Sequence, residues 1–280
     1  MKPVAFEIAR PASLAEAAML LGPHDGAAKV IAGGQSLGPM LNLRLAQPSL
    51  LVDITGIPEL TRVETTTDHI TLGACVTTAD VEDGRIGAAD LPMLAQVAGR
   101  IAYRAVRNRG TVGGSLCHAD PAADWMTALA ALGADAVVSN GARHRTVPVA
   151  RLMRGAFETA VNSGEILQAI RIPRPSPGAR WGYCKVCRKA GEFALAIGAV
   201  YADSERGFFR AVVGATNGAP LIIDDASSIF GGAREPGSSV QLDEAAATRL
   251  LTAAGRGADV VRHRLHLTAL SRAAKEAGAS

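Results

Sequence analysis

Two short glycine-rich segments constrain this chain more than anything else in it. The first is Ala32-Gly33-Gly34-Gln35-Ser36-Leu37-Gly38. The second is Gly110-Thr111-Val112-Gly113-Gly114-Ser115-Leu116, which continues into Cys117-His118-Ala119-Asp120-Pro121. Each carries a Gly-Gly pair and a small hydroxyl residue. Glycine reaches positive φ without a Cβ penalty, and successive backbone N–H groups in such a segment form a concavity for an anion. One segment of this kind says little. Two in one chain predict a diphosphate gripped from two sides.

Other motifs explain less. Gly34-Gln35-Ser36-Leu37-Gly38 matches the G-x-S-x-G nucleophile elbow and follows an apolar run, as the elbow requires. Too little chain precedes it for the strands that fold builds first. Asp124 with His144 or His263 would complete a triad by order alone, and the second glycine segment would be left without a role. The chain has no G-x-G-x-x-G, no G-x-x-x-x-G-K-[ST] and no H-E-x-x-H. Cys184-x-x-Cys187 lacks a second ligand pair, and its neighbours alternate as in a strand, so the two thiols face opposite sides. No metal site is expected.

At 280 residues the chain is long enough for about two domains. Aromatic residues make up 4% and the net charge is +3, with no basic block, which excludes a base-stacking or phosphate-tracking nucleic-acid surface. No segment approaches the roughly 18 uninterrupted apolar residues of a membrane span, and the start shows no signal-type apolar stretch. The four cysteines, Cys75, Cys117, Cys184 and Cys187, are irregularly spaced, and reduced thiols in a cytoplasmic protein are the expectation.

The patterning predicts an α+β fold. Strands are expected over 4–8, 29–32 and 50–54, with a capping box Ser13/Glu16 opening a helix over 14–21. A helical turn is expected over 39–45, a hairpin from 60–64 and 69–72, and helices over 78–86 and 91–101. Asp120-Pro121 reads as N-cap and N1 of a helix running to Leu132. A hairpin follows from 136–139 and 144–147, then a strand over 166–172. Pro173-Arg174-Pro175-Ser176-Pro177-Gly178 reads as the linker between two domains. Beyond it, strands over 181–186, 194–201 and 208–214 and helices over 243–255 and 259–277 predict an antiparallel sheet with helices after it.

Asp124 sits one turn after Asp120. It could bond a ribose or flavin nitrogen, or simply favour the positive end of the helix dipole; the local sequence leaves the two equal. Lys185, Arg188 and Lys189 read either as an exposed edge or as charge for an anionic cofactor.

Ala32-Gly33-Gly34-Gln35-Ser36-Leu37 and Thr111-Val112-Gly113-Gly114-Ser115, with Ala119-Asp120-Pro121-Ala122-Ala123-Asp124, resemble the FAD-binding medium subunit of the molybdenum hydroxylases, the xanthine dehydrogenase and carbon monoxide dehydrogenase family. The resemblance covers the whole chain. It implies a two-part FAD-binding domain of the vanillyl-alcohol-oxidase (PCMH) type over 1–175 and a C-terminal flavoprotein domain of the carbon monoxide dehydrogenase medium-subunit type over 176–280. It implies that residues 32–36 and 111–115 wrap the FAD diphosphate, with Leu37, Gly110 and His118 beside them. Asp124 would contact the flavin, Ile101 and Leu167 would line the isoalloxazine or the adenine, Lys185 would lie near the flavin ring, and Phe193 falls where some members carry an aromatic residue beside it. Ser115 departs from the common Asn, and the cysteine-rich insert of some relatives is missing. No catalytic residue is assigned. The implied partners are a large subunit with a molybdenum cofactor and a small subunit with [2Fe-2S] clusters, in a dimer of heterotrimers that passes electrons to an external acceptor. Two rival readings are a self-contained flavin oxidase, which would need more chain after the linker, and a scaffold subunit without flavin, against which the intact glycines argue.

Overall fold

In the computed structural model, which describes residues 2–22, 26–87, 91–230, 241–255 and 257–279, three main sheets build the fold; the second and third share one core, and the first packs smaller clusters of its own. The N-terminal sheet is small and parallel. Leu50–Asp53 lies at its centre, between Glu7–Ala9 and Ala28–Ile31. Leu51 and Val52 of the middle strand are buried, as parallel strands covered on both faces must be. The helix Leu14–Leu21 covers this sheet. Ser13 caps it, but the Glu16 carboxylate bonds the N–H of Ala12 rather than that of Ser13, so the expected capping box closes one residue early.

The second sheet has five antiparallel strands in the order Val63–Thr65, His69–Gly73, Ile166–Pro173, Asp135–Ser139, His144–Pro148. Its central strand shifts register between Leu167 and Ala169, and its burial alternates from Ile170 onward. That bulge turns the Gln168 carbonyl towards Ala74, whose N–H it accepts at 2.9 Å. The expected helix over 78–86 stops at Glu82, and that over 91–101 spans Pro92–Gly99. A two-stranded hairpin, Met153–Gly155 with Glu158–Thr159, was not expected.

The third sheet runs Arg180–Val186, Ala196–Asp203, Phe208–Gly214 and a fourth, unforeseen strand Leu221–Ile223. The long helix Val260–Ala279 lies directly on it because both sides are stripped of bulk. A Cβ on Gly182 would overlap the Ala273 carbonyl, and one on Gly198 would sit 2.6 Å from the Leu270 nitrogen. The other face packs against the helix Asp124–Ala131. The segment at 173–178 carries the chain from the second sheet to the third, and it is stapled rather than loose. The Ser176 N–H donates to Asp203, which also accepts from Tyr201 Oη. Trp125, Leu129 and Ile170 from before this segment and Tyr183, Ile197 and Val212 from after it belong to one continuous core. No helix among the described residues is long and apolar enough to cross a membrane.

Candidate functional site

The two glycine segments meet. A Cβ on Gly33 would overlap the Arg109 carbonyl oxygen and stand 2.9 Å from the Gly110 Cα, so only glycine admits this approach. Gly110 in turn has Gln35 Cγ 3.8 Å from its Cβ position, and Gly114 faces Ala32 at 4.0 Å.

Their backbones are used very differently. Gly34 has φ +70°, and the helix that follows spans Leu37–Asn42, beginning two residues before the expected turn. Gly38 and Met40 donate back to the Gly34 and Ser36 carbonyls, but the N–H groups of Gly33, Gly34, Gln35, Ser36 and Leu37 have no acceptor among the described residues. The Gln35 side chain folds onto the Gly33 carbonyl at 3.1 Å. Five consecutive unpaired donors around a left-handed glycine make a nest of the kind that binds oxyanions.

The second segment is not the open loop its glycines suggested. Val112–His118 is helical, and Thr111 caps it by accepting the Gly114 N–H at 3.0 Å. Val112 donates to Val76, Gly113 to Ala74 and Ser115 to the Thr111 carbonyl, so the amides of residues 112–115 are all spent inside the protein. Tertiary contact overrides the poor helix propensity of glycine here. Gly113 lies on the Ala74 backbone, where a Cβ would be 2.8 Å from the Ala74 Cα. What remains on offer is the Thr111 N–H, the Ser115 hydroxyl and a face without side chains. Val112 is fully buried.

Asp120 does not cap the next helix. Its carboxylate bonds the Ala122 N–H at 2.9 Å in a local turn, Pro121 accepts from Ala215, and the helix starts at Asp124. Asp124 is 5% exposed, and both its oxygens are engaged, one by Tyr183 Oη at 2.8 Å and the other by Lys185 Nζ at 2.9 Å. The Lys185 side chain is 4% exposed. Burial raises the Asp124 carboxyl above its ordinary value, opposed by the Lys185 ammonium and then the Tyr183 hydroxyl. Tyr183 is pushed well above the usual phenol range, first by burial and then by the Asp124 charge. This pair joins the strand after the linker to a helix before it.

The remaining candidates are distributed around these two centres. Ile101 is half-buried, next to Arg100, whose carbonyl accepts Lys185 Nζ at 3.4 Å. Leu167 is buried beneath the bulge. His118 ends its helix with its ring 5.2 Å from that of Phe157. Phe193 is 67% exposed, on the loop between the first two strands of the third sheet. Cys184 and Cys187 are free, and the described residues hold no cluster suited to a metal. Sequence reasoning passed over Tyr183, although Tyr183 and Lys185, two apart on a strand, must share a face. It also passed over Thr77 and Thr78. Thr77 bridges Thr111, and the Thr78 N–H donates to the Gly110 carbonyl at 2.8 Å.

A pre-formed anion nest closed by a second glycine segment, in a chain that also buries a charge pair, suits a phosphate-bearing cofactor. The comparisons with known proteins agree. Residues 4–175 match the family model described as the FAD binding domain in molybdopterin dehydrogenase. The chain is 37% identical to the nicotine 6-hydroxylase medium subunit of Paenarthrobacter nicotinovorans, over 100% of this chain and 99% of that one. It is 39% identical to the carbon monoxide dehydrogenase medium chain of Hydrogenophaga pseudoflava over 70% of this chain and 68% of that one. A solved structure of carbon monoxide dehydrogenase from Hydrogenophaga pseudoflava superposes with a TM-score of 0.88 at 33% identity, covering 100% and 99% of the two chains. Quinoline 2-oxidoreductase from Pseudomonas putida 86 gives 0.84 at 31%, with the same coverage. The chain belongs to the FAD-binding family of the molybdopterin dehydrogenases. It is an FAD-binding medium subunit of the molybdenum hydroxylase type, an oxidoreductase component.

Proposed function

We propose that this chain is the electron-transfer subunit of a heteromeric molybdenum hydroxylase, taking electrons from iron–sulfur clusters of a small partner subunit and delivering them to an external acceptor. A large partner subunit carries the molybdenum cofactor and the organic substrate, and the assembly is a cytoplasmic dimer of heterotrimers. The observation that carries the reading is the row of five unpaired N–H groups at 33–37, set against a second segment with none to spare between 112 and 115.

FAD supplies the redox chemistry when bound. The chain's own residues bind and orient it. The N–H groups of 33–37 take the diphosphate, with the Thr111 N–H and the Ser115 hydroxyl closing from the other side. Ser115 fills the place of an amide side chain with a single hydroxyl, which still donates to a phosphate oxygen. The Asp124–Lys185 pair, held by Tyr183, sets a fixed dipole at the ring end, and Ile101, Leu167 and Phe193 line the rings. The boundary between the FAD-binding and C-terminal domains falls at 175/176 in this reading.

The test is an absorption spectrum of the purified chain, followed by release of the chromophore. Flavin bands near roughly 370 and 450 nm, with FAD released without covalent attachment, are expected. A colourless protein that takes up no FAD, alone or with its co-purified partners, refutes the reading and leaves the scaffold alternative.

A further inference from the structure

Arg107 is 11% exposed and makes four hydrogen bonds, none to a candidate ligand atom. Its Nε and Nη2 donate to the two carboxylate oxygens of Glu82, both at 2.8 Å. Its Nη1 donates to the carbonyls of Ile101, at 2.9 Å, and Ala102, at 3.1 Å. Ala102 has φ +43°, a conformation that is strained for a residue with a Cβ and persists only where its surroundings impose it. Directly on this turn sits Gly191, where a Cβ would come 2.8 Å from the Ala102 carbonyl oxygen. Gly191 belongs to the loop that carries Phe193. At the other end, Glu82 closes the helix Thr78–Glu82, whose first residue holds the Gly110 carbonyl. One guanidinium therefore ties the second glycine segment, the Ile101 turn and the Phe193 loop together.

We infer that Arg107 is a positioning residue for the ring end of the site: braced by Glu82, it pins the strained Ile101–Ala102 turn and so seats the 187–195 loop that carries Phe193 against it. This rests on the FAD-binding reading for its consequence, though not for its geometry. Lysine cannot replace it, because one ammonium cannot make a bidentate carboxylate contact and hold two carbonyls at once.

The experiment compares wild type with Arg107→Ala, Arg107→Lys, Arg107→Ala/Ala102→Gly and Arg145→Ala. The last is a control that removes a similar clamp, on Glu165 and the Ala160 carbonyl, away from the site. Two readouts are taken on each full-length chain. In the flavin-free protein, trypsin cleavage after Arg188 and Lys189 is followed by mass spectrometry. FAD affinity is then measured by fluorescence quenching. Both Arg107 variants are expected to be cut at the loop at least about tenfold faster and to bind FAD at least about tenfold more weakly. Arg145→Ala should do neither, even where it melts as early. Ala102→Gly should return both readouts of Arg107→Ala towards wild type, because glycine holds the turn without the clamp. Loop cleavage unchanged in both Arg107 variants, or loss equal to that in Arg145→Ala, overturns the inference. Failure of wild type itself to bind FAD instead overturns the functional reading, and the cleavage rates still judge the clamp.

Discussion

Replacing Lys185 by methionine tests the buried Asp124–Lys185 pair. At 2.9 Å and an effective dielectric constant of about 20, the attraction between the two charges is about 6 kcal/mol before either is desolvated. Both side chains are at most 5% exposed, so most of that attraction offsets the cost of burying them. Lys185→Met keeps the volume of the stem and leaves the Asp124 carboxylate uncompensated, apart from Tyr183 Oη. Such a break costs about 3–5 kcal/mol, a large share of the roughly 5–15 kcal/mol that holds a typical domain together. The sign of the pH dependence follows. Burial already raises the Asp124 carboxyl, and loss of the ammonium removes the largest opposing influence, so the variant's carboxyl rises further. A carboxyl raised in the folded state favours folding below its unfolded value and loses that contribution as pH climbs through the folded one. The deficit of the variant relative to wild type should therefore be full at pH 8 and shrink towards pH 5. Asn at 124 neutralises the site while still accepting from Tyr183, so Asp124→Asn/Lys185→Met should recover most of the loss. The assay is urea unfolding of the flavin-free proteins at three pH values, with the coupling energy taken from the double-mutant cycle. A coupling below about 0.5 kcal/mol, or a deficit that grows on acidification, refutes the reasoning.

Gly33→Ala should lower the melting temperature and FAD affinity together, since its Cβ overlaps the Arg109 carbonyl and must part the two segments at a cost of about 1–3 kcal/mol. Gly38→Ala, with nothing within 4 Å of its Cβ position, should leave both unchanged; equal behaviour of the two variants in calorimetry and flavin titration counts against a meeting of the segments. Ser36→Ala should leave stability alone, because the Ser36 side chain makes no cap bond, and should weaken FAD retention only modestly, because the backbone N–H groups of 33–37 remain. Complete loss of an esterase activity on that change would restore the nucleophile-elbow reading.

The glycine pairs were legible because a Gly-Gly dipeptide next to a hydroxyl residue has few other uses, and the strands were legible where one face is buried. What could not be read depends on partners distant in sequence. The helix Val112–His118 forms because Ala74 accepts Gly113 and Thr111 turns its hydroxyl inward, and neither fact has a local signature. Asp120-Pro121 carries a sound capping signal, yet the chain uses it for a turn whose Pro121 carbonyl reaches Ala215 in the third sheet. Asp124 was left between two local roles; it does open its helix, but the partners of its carboxylate had no local signal. Its carboxylate is filled by Tyr183 and Lys185, some 60 residues later in the chain. Nothing local singled out Arg107, and only the fold shows that Arg104 beside it is an exposed partner of Asp83 and Glu82 while Arg107, also on Glu82, turns in upon backbone carbonyls.

The two glycine segments look alike in sequence and do opposite things, and the difference explains why both are needed. A nest of free N–H groups costs little while it is open to water, but it binds an anion well only if it is already shaped when the anion arrives. Within residues 33–37 one bond is internal, from Gln35 Nε2 to the Gly33 carbonyl, and none of the five N–H groups helps to fix that shape. The fixing comes from outside: Gly33 is laid against the Arg109 carbonyl, and residues 109–115 are themselves immobilised by bonds to Val106, Ala74, Val76, Thr78 and Thr111. Glycine serves both a left-handed backbone at Gly34 and close approach at Gly33 in the first segment, and close approach at Gly113 in the second. A substitution that spares every free donor but loosens the second segment should therefore weaken binding as surely as one that removes a donor from the first.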